Sequence, residues 1–193
     1  MLATAQMLGS SGLTVVVILG GIVAAQMAPR PSLATVPISL AIVATALTTI
    51  PASLLMRRIG RRAGFILGAS IGCVGGLVAA EAIVLTNFVM FCAATLLMGS
   101  SMAFTQQYRF AAAESAPPER LSQAVSYVLV GSFGAAIVNP QLALAARGLV
   151  PGAEYAGSFV AVSLLYAATI AVLSRLHVPP PSYEVNTWMP GSY

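Results

Sequence analysis

The sequence predicts an all-α, polytopic membrane protein with six transmembrane helices, and three observations carry that reading. Of 193 residues, 58% are hydrophobic and only 7% charged, with a mean hydropathy of +0.90. A soluble domain ordinarily carries about 25% charged residues, too many for this chain to match. Six mainly apolar stretches each approach the roughly 20 residues a helix needs to cross the hydrocarbon. The basic residues fall unevenly between those stretches, as they do when charge orients a membrane protein. This arithmetic argues against a soluble enzyme, a nucleic-acid reader and a disordered segment.

The apolar stretches run at about 8–28, 36–56, 63–85, 87–107, 122–145 and 156–176. The first lacks the basic n-region of a signal peptide and is followed by five more, so it reads as a retained helix. Pro29-Arg30-Pro31 separates it from the second, and the second and third are parted by the basic run at 57–62. Thr86-Asn87 marks a turn between the third and fourth, which almost touch. A polar loop around Pro117-Pro118-Glu119-Arg120 precedes the fifth, and residues 148–154 precede the sixth. Residues 1–176 therefore form the membrane domain, and 177–193 a Pro-rich tail too polar to cross. The tail holds Pro180-Pro181-Ser182-Tyr183, the PPxY pattern that WW domains bind, but a flexible or partner-docked tail is the simpler expectation.

With the amino terminus in the cytoplasm, Arg57, Arg58, Arg61, Arg62, Arg109, Arg120 and Arg175 lie inside and only Arg30 and Arg147 outside. The positive-inside rule therefore places both termini in the cytoplasm. The net charge of +4 serves orientation and implies no polyanion partner such as nucleic acid. The chain has no Lys and no Asp, and its one His, His177, follows the last span. Cys73 and Cys92 sit in apolar stretches without CxxC spacing and read as small core residues. No metal site and no cofactor is expected.

Helices in lipid associate through close packing and a few polar contacts, because lipid tails are as apolar as Leu. Gly64, Gly68, Gly72 and Gly76 recur every four residues in the third span and make a packing face. Gly20, Ala24 and Ala28 in the first span, and Gly131 and Ala135 in the fifth, offer weaker versions. Residues 68–72 also match G-x-S-x-G, but that motif needs a strand–turn–helix setting with a His and an acid. Inside an apolar helix the match is chance, and no enzyme is expected. Pro51 and Pro140 both fall late in the middle helix of a group of three. Such paired interruptions accompany the inverted repeats of secondary transporters.

The segment Ser53-Leu-Leu-Met-Arg57-Arg58-Ile59-Gly60-Arg61-Arg62 resembles the signature loop of the major facilitator superfamily, G-x-L-A-D-R-x-G-R-R, in the same place between spans two and three. Leu55, Arg58, Gly60, Arg61 and Arg62 match; Ser53, Met56 and Arg57 replace the usual Gly, Ala and acid. Pro117, Arg120 and Ala124 resemble the family's P-x-x-R-x-x-A pattern, and residues 107–114 look like a bacterial branch of it. The resemblance runs to about Arg175 and implies one six-helix, N-terminal half built as a 3+3 inverted repeat. Members usually have twelve spans in two halves, so the chain stands as a natural half or a truncated reading. Gly131, Gly134 and Asn139-Pro140 are similar to the glycine-rich motif of drug–proton antiporters, with its spacing broken.

In the family the acid and bases of the signature loop tie helices together during gating. With Arg57 in the acid's place, Glu114 or Glu119 would have to supply the carboxylate; a purely orienting role for the loop is the alternative. Intramembrane polar groups are functional candidates by default. Glu81 is the proton or ion candidate, or a group reaching the outer interface. Gln26, Gln106, Gln107, Tyr127, Asn139 and Gln141 sit on helices that, by resemblance, line the central cavity. Arg109 would meet an anionic substrate or a lipid phosphate. The reading is a half-length transporter of an unknown small molecule in a bacterial cytoplasmic membrane, acting as a homo-oligomer or with a second half. A non-transporting accessory membrane subunit is the alternative.

Overall fold

The computed structural model describes residues 8–9, 11–108 and 121–175. Among these the chain forms six α-helices: α1 (Ser11–Met27), α2 (Val36–Ile59), α3 (Arg61–Val84), α4 (Phe88–Thr105), α5 (Leu121–Ala145) and α6 (Ala156–Ser174). A 3-10 turn, Pro31–Leu33, joins α1 to α2. Pro31–Ile59, Arg61–Val84, Phe88–Thr105 and Ala156–Ser174 are long and apolar enough to cross a bilayer, while Val15–Met27 and Phe133–Ala145 are apolar but shorter. Among the described residues the regular structure is all helical, as in a membrane protein.

The turns are shorter than the sequence suggests. Arg57 and Arg58 form the last turn of α2, Arg61 and Arg62 open α3, and Gly60 alone separates the helices. Gly60 takes φ +87° and ψ 153°, a conformation that a side chain disfavours, so one residue breaks the helix. At the other end of α3 the reversal uses Thr86 at φ +52°. Asn87 then caps α4, its Oδ1 accepting the Met90 N–H at 3.1 Å, which satisfies one of the helix's orphan donors.

α3 is the central helix, packed between α4 and α6, and α4 also runs along α2. α1 lies against α2, α4, α5 and α6, and α5 packs on α1 and α6. One core cluster gathers Val15, Val16, Leu19, Phe91, Phe159 and Tyr166. A second, at the Arg57–Arg62 end, gathers Met56, Phe65, Phe104, Tyr108 and Leu173, with Phe65 and Tyr108 edge-on at 4.4 Å between centroids. The outward face is apolar as well: Val89 is 77% exposed, and Leu47 and Phe133 72%. A water-facing surface rarely presents so much apolar area, whereas lipid accepts it at no cost. Pro51 and Pro140 lie inside α2 and α5, which continue through them.

Candidate functional site

The four glycines of the row in α3, Gly64, Gly68, Gly72 and Gly76, are all buried, each against a different neighbour. A methyl group built on Gly64 would meet Met56 of α2, and one on Gly68 would lie 2.7 Å from Phe104 Cγ of α4. On Gly72 it would lie 2.5 Å from Tyr166 Cζ and 2.6 Å from Ser101 Oγ, and on Gly76 3.0 Å from the Phe159 carbonyl oxygen. The row therefore serves α2, α4 and α6 together. Gly75 adds a contact with Met98 at 2.9 Å. Tyr166 is the side chain that this economy admits: it reaches from α6 to the bundle centre between Gly12, Gly72 and Ser101.

The tightest backbone crossings lie elsewhere, at positions the sequence did not single out. Gly99 of α4 rests on the backbone of Ala41 in α2, and Gly157 at the start of α6 rests on the Ala146 carbonyl. Hydroxyls cross at the same places. Thr45 Oγ1 donates to the Gly99 carbonyl at 2.8 Å, with the Ala41 carbonyl also 2.8 Å away, and Thr48 Oγ1 lies 3.2 Å from Ser100 Oγ. Ser158 donates to the Ala143 carbonyl at 2.5 Å, and Ser163 reaches the Cys73 carbonyl at 3.1 Å. Ser and Thr at crossings are common enough in membrane helices that only their partners, which the sequence does not reveal, distinguish glue from filler.

The charged residues described divide between the two ends. At one end Arg57 and Arg58 are exposed, whereas Arg61 and Arg62 are half-buried. The Arg62 guanidinium donates to the carbonyl of Ser174, so it caps the last turn of α6 and ties it to the start of α3. At the opposite end Arg147 Nε lies 3.7 Å from Glu154 Oε1, both side chains more than half exposed. The Tyr155 N–H donates to the Arg147 carbonyl at 3.1 Å and closes that loop. Gly152 and Tyr155 turn it at positive φ.

The candidate cavity residues are not gathered into one cluster. Gln26, exposed near the end of α1, lines a recess of about 270 Å³ with Thr86 and Glu154 at the Arg147 end. Gln141 is exposed and Asn139 buried, both in the later part of α5. Gln106, half-buried, and Gln107, buried, follow α4 at the opposite, Arg-rich end. Glu81, near the end of α3, is exposed. Tyr127 lies in α5, its side chain outside what is described; Arg109, Glu114, Glu119, Arg120 and the tail lie outside the described residues altogether. Cys73 and Cys92 are free and half-buried. Among the described residues no group of three or more His, Cys, Asp or Glu is placed to hold a metal ion.

Apolar helices that interlock through glycines, with polar side chains left at both ends and on the outer faces, define a multi-pass membrane protein. Its relatives specify the class further. The chain is 40% identical over 185 residues to the riboflavin transporter RfnT of Brucella anthropi, a match covering 96% of this chain and 46% of that protein. It is 27% identical over 187 residues to YdeG of Bacillus subtilis, covering 94% of this chain and 43% of the relative. It is 28% identical over 137 residues to YddS of the same organism, covering 71% of this chain and 31% of the relative. The last two are named as uncharacterized MFS-type transporters. The relatives are thus named as transporters, two of them of the major facilitator type, and none as an enzyme; the chain spans about half the length or less of the curated relatives it matches. No protein-family model matches it, and neither does any solved structure.

Proposed function

We propose that the chain forms a six-span, 3+3 inverted-repeat unit, both termini cytoplasmic, that supplies one wall of a small-molecule transport path. The observation that carries this is the 40% identity to a transporter over 96% of the chain. The uneven distribution of Arg supports the orientation, with Arg57, Arg58, Arg61, Arg62 and Arg175 at one end of the bundle and Arg147 at the other. A second six-helix unit completes the path, either another copy or a partner membrane subunit. The exposed amide of Gln141 on α5 would otherwise stand beside lipid, where an unpaired polar group costs several kcal/mol, and Gln26 lies in the recess at the Arg147 end. Gln106, Gln107, Tyr127 and Asn139 are the further wall candidates, and Glu81 the proton or ion candidate. A cytoplasmic membrane is the proposed location.

Riboflavin is the first solute to test, because the relative with 40% identity is named for it. Purified chain is reconstituted into proteoliposomes, uptake of labelled riboflavin is measured, and cross-linking in the same membranes reports the assembly. Uptake by a cross-linked dimer, reduced by Gln26→Ala or Gln141→Ala, is the expected result. Uptake by a chain that remains monomeric would refute the two-unit path. A hetero-complex without transport would favour an accessory subunit instead.

A further inference from the structure

The Arg57–Arg62 segment contains two pairs that do different work. Arg62 is occupied in capping α6, and Arg61, also half-buried, has an interaction of its own. Arg57 and Arg58, at the end of α2, are exposed. Beside them one face of α2 bears a shallow, open groove of about 480 Å³, lined on that helix alone by Pro51, Leu54, Leu55, Arg57 and Arg58. Residues 51, 54, 55 and 58 follow the three-to-four spacing of one helix face, so the groove runs up the helix from its charged end. Its wall is apolar over the first turn and a half and cationic at the mouth.

We propose that this groove is a binding site for one anionic phospholipid of the leaflet at the Arg-rich end. An acyl chain would lie along Pro51, Leu54 and Leu55, and the phosphate would rest on the Arg57 and Arg58 guanidiniums. The occupant follows from charge and shape together. A guanidinium pair matches phosphate oxygens with several donors at once, and an apolar face open to lipid takes a hydrocarbon tail rather than a soluble anion. In the bilayer the groove mouth stands at headgroup depth, because Arg57 and Arg58 close the apolar helix. The inference requires the membrane setting only and does not depend on transport.

The full-length chain is equilibrated in mixed micelles of phosphatidylglycerol and phosphatidylcholine at equal mole fraction, and retained lipid is counted by native mass spectrometry. The expected result is selective retention of one phosphatidylglycerol. Arg57→Gln with Arg58→Gln should weaken it about 30-fold, since each basic residue near an anionic surface contributes about 1 kcal/mol and 1.4 kcal/mol is tenfold. Arg61→Gln with Arg62→Gln should lower the melting temperature and leave the lipid preference in place. Glycerol phosphate, which has the anion and no tail, should not displace the lipid. Equal retention of the two lipids by the unaltered chain overturns the site whatever the variants do, including the case where another protein surface fills the groove. Displacement by glycerol phosphate, or a preference that survives loss of Arg57 and Arg58, overturns it too.

Discussion

Replacing Gly99 by Ala tests whether the bundle is held by backbone proximity. The added methyl would meet the Ala41 carbonyl oxygen and stand 2.8 Å from that residue's carbonyl carbon and Cα. Carbon atoms pack best at about 3.5–4.0 Å, so α2 and α4 must part locally by about 1 Å. Backbone cannot swing aside as a side-chain tip does. Overpacking of this kind costs roughly 1–3 kcal/mol. Separation also lengthens the Thr45–Gly99 bond of 2.8 Å and the Thr48–Ser100 contact of 3.2 Å. Interhelical hydrogen bonds in membranes average about 0.6 kcal/mol. The sum is about 2–4 kcal/mol, and at roughly 2–4 °C per kcal/mol for a chain of this length the melting temperature in detergent should fall by at least about 4 °C. Thermal melting followed by size-exclusion chromatography reads this, with Leu47→Ala, on an outward position of α2, as the control. A Gly99→Ala protein that melts with the control would refute the close-crossing argument.

Gly72→Leu should destabilise far more than Leu67→Ala, because Gly72 is wedged against Tyr166 and Ser101 whereas Leu67 is 37% exposed; equal melting curves would count against the glycine face. Ser158→Ala removes a fully buried bond from α6 to the Ala143 carbonyl of α5, and should cost about 0.6–1.7 kcal/mol in the same assay. Glu154→Gln breaks an ion pair that is more than half exposed on both sides, so stability should stay within about 0.5 kcal/mol; a larger loss would mean the loop is held by that pair. Single cysteines at 57–62 should be shielded from an impermeant reagent applied outside cells, and cysteines at 148–154 should react. The reverse pattern would invert the proposed topology.

Helix positions were legible because a bilayer permits little else: apolar length fixes each helix, and Gly60, Asn87 and the Pro31 turn punctuate them. The row from Gly64 to Gly76 was legible from its four-residue period, but not its partners, since period says which face packs and nothing about what it meets. Gly99 and Gly157 escaped notice because an isolated glycine has no pattern, although they make the closest backbone contacts. The Arg run was legible as a charge cluster. Its division into a helix cap and an exposed pair was not, because that depends on where the end of α6, more than a hundred residues away, comes to rest. Candidate wall residues were chosen by type and by the helices that the resemblance places round a cavity, and neither reveals burial, so neither separates the exposed Gln26 and Gln141 from the buried Gln107 and Asn139.

The arrangement of small residues bears on where a solute could pass. Around α3 the helices close on Gly64, Gly68, Gly72 and Gly76, and Phe65, Phe91, Phe104, Phe159 and Tyr166 fill what space remains. Many of the described intramembrane hydroxyls are turned back on the bundle: Thr49, Ser70 and Thr169 each donate to the carbonyl four residues earlier, and Ser163 bonds its own helix as well as α3. A hydroxyl so engaged offers a passing solute little. Two shallow recesses open at the ends of the bundle, one beside Gln26 and the other beside Arg57. Among the described residues the middle of this unit is thus closely packed around α3. Gln26 on α1 and Gln141 on α5 are exposed outside that packing, so under the proposed two-unit path they are the amides whose replacement should affect uptake while leaving the core around α3 in place.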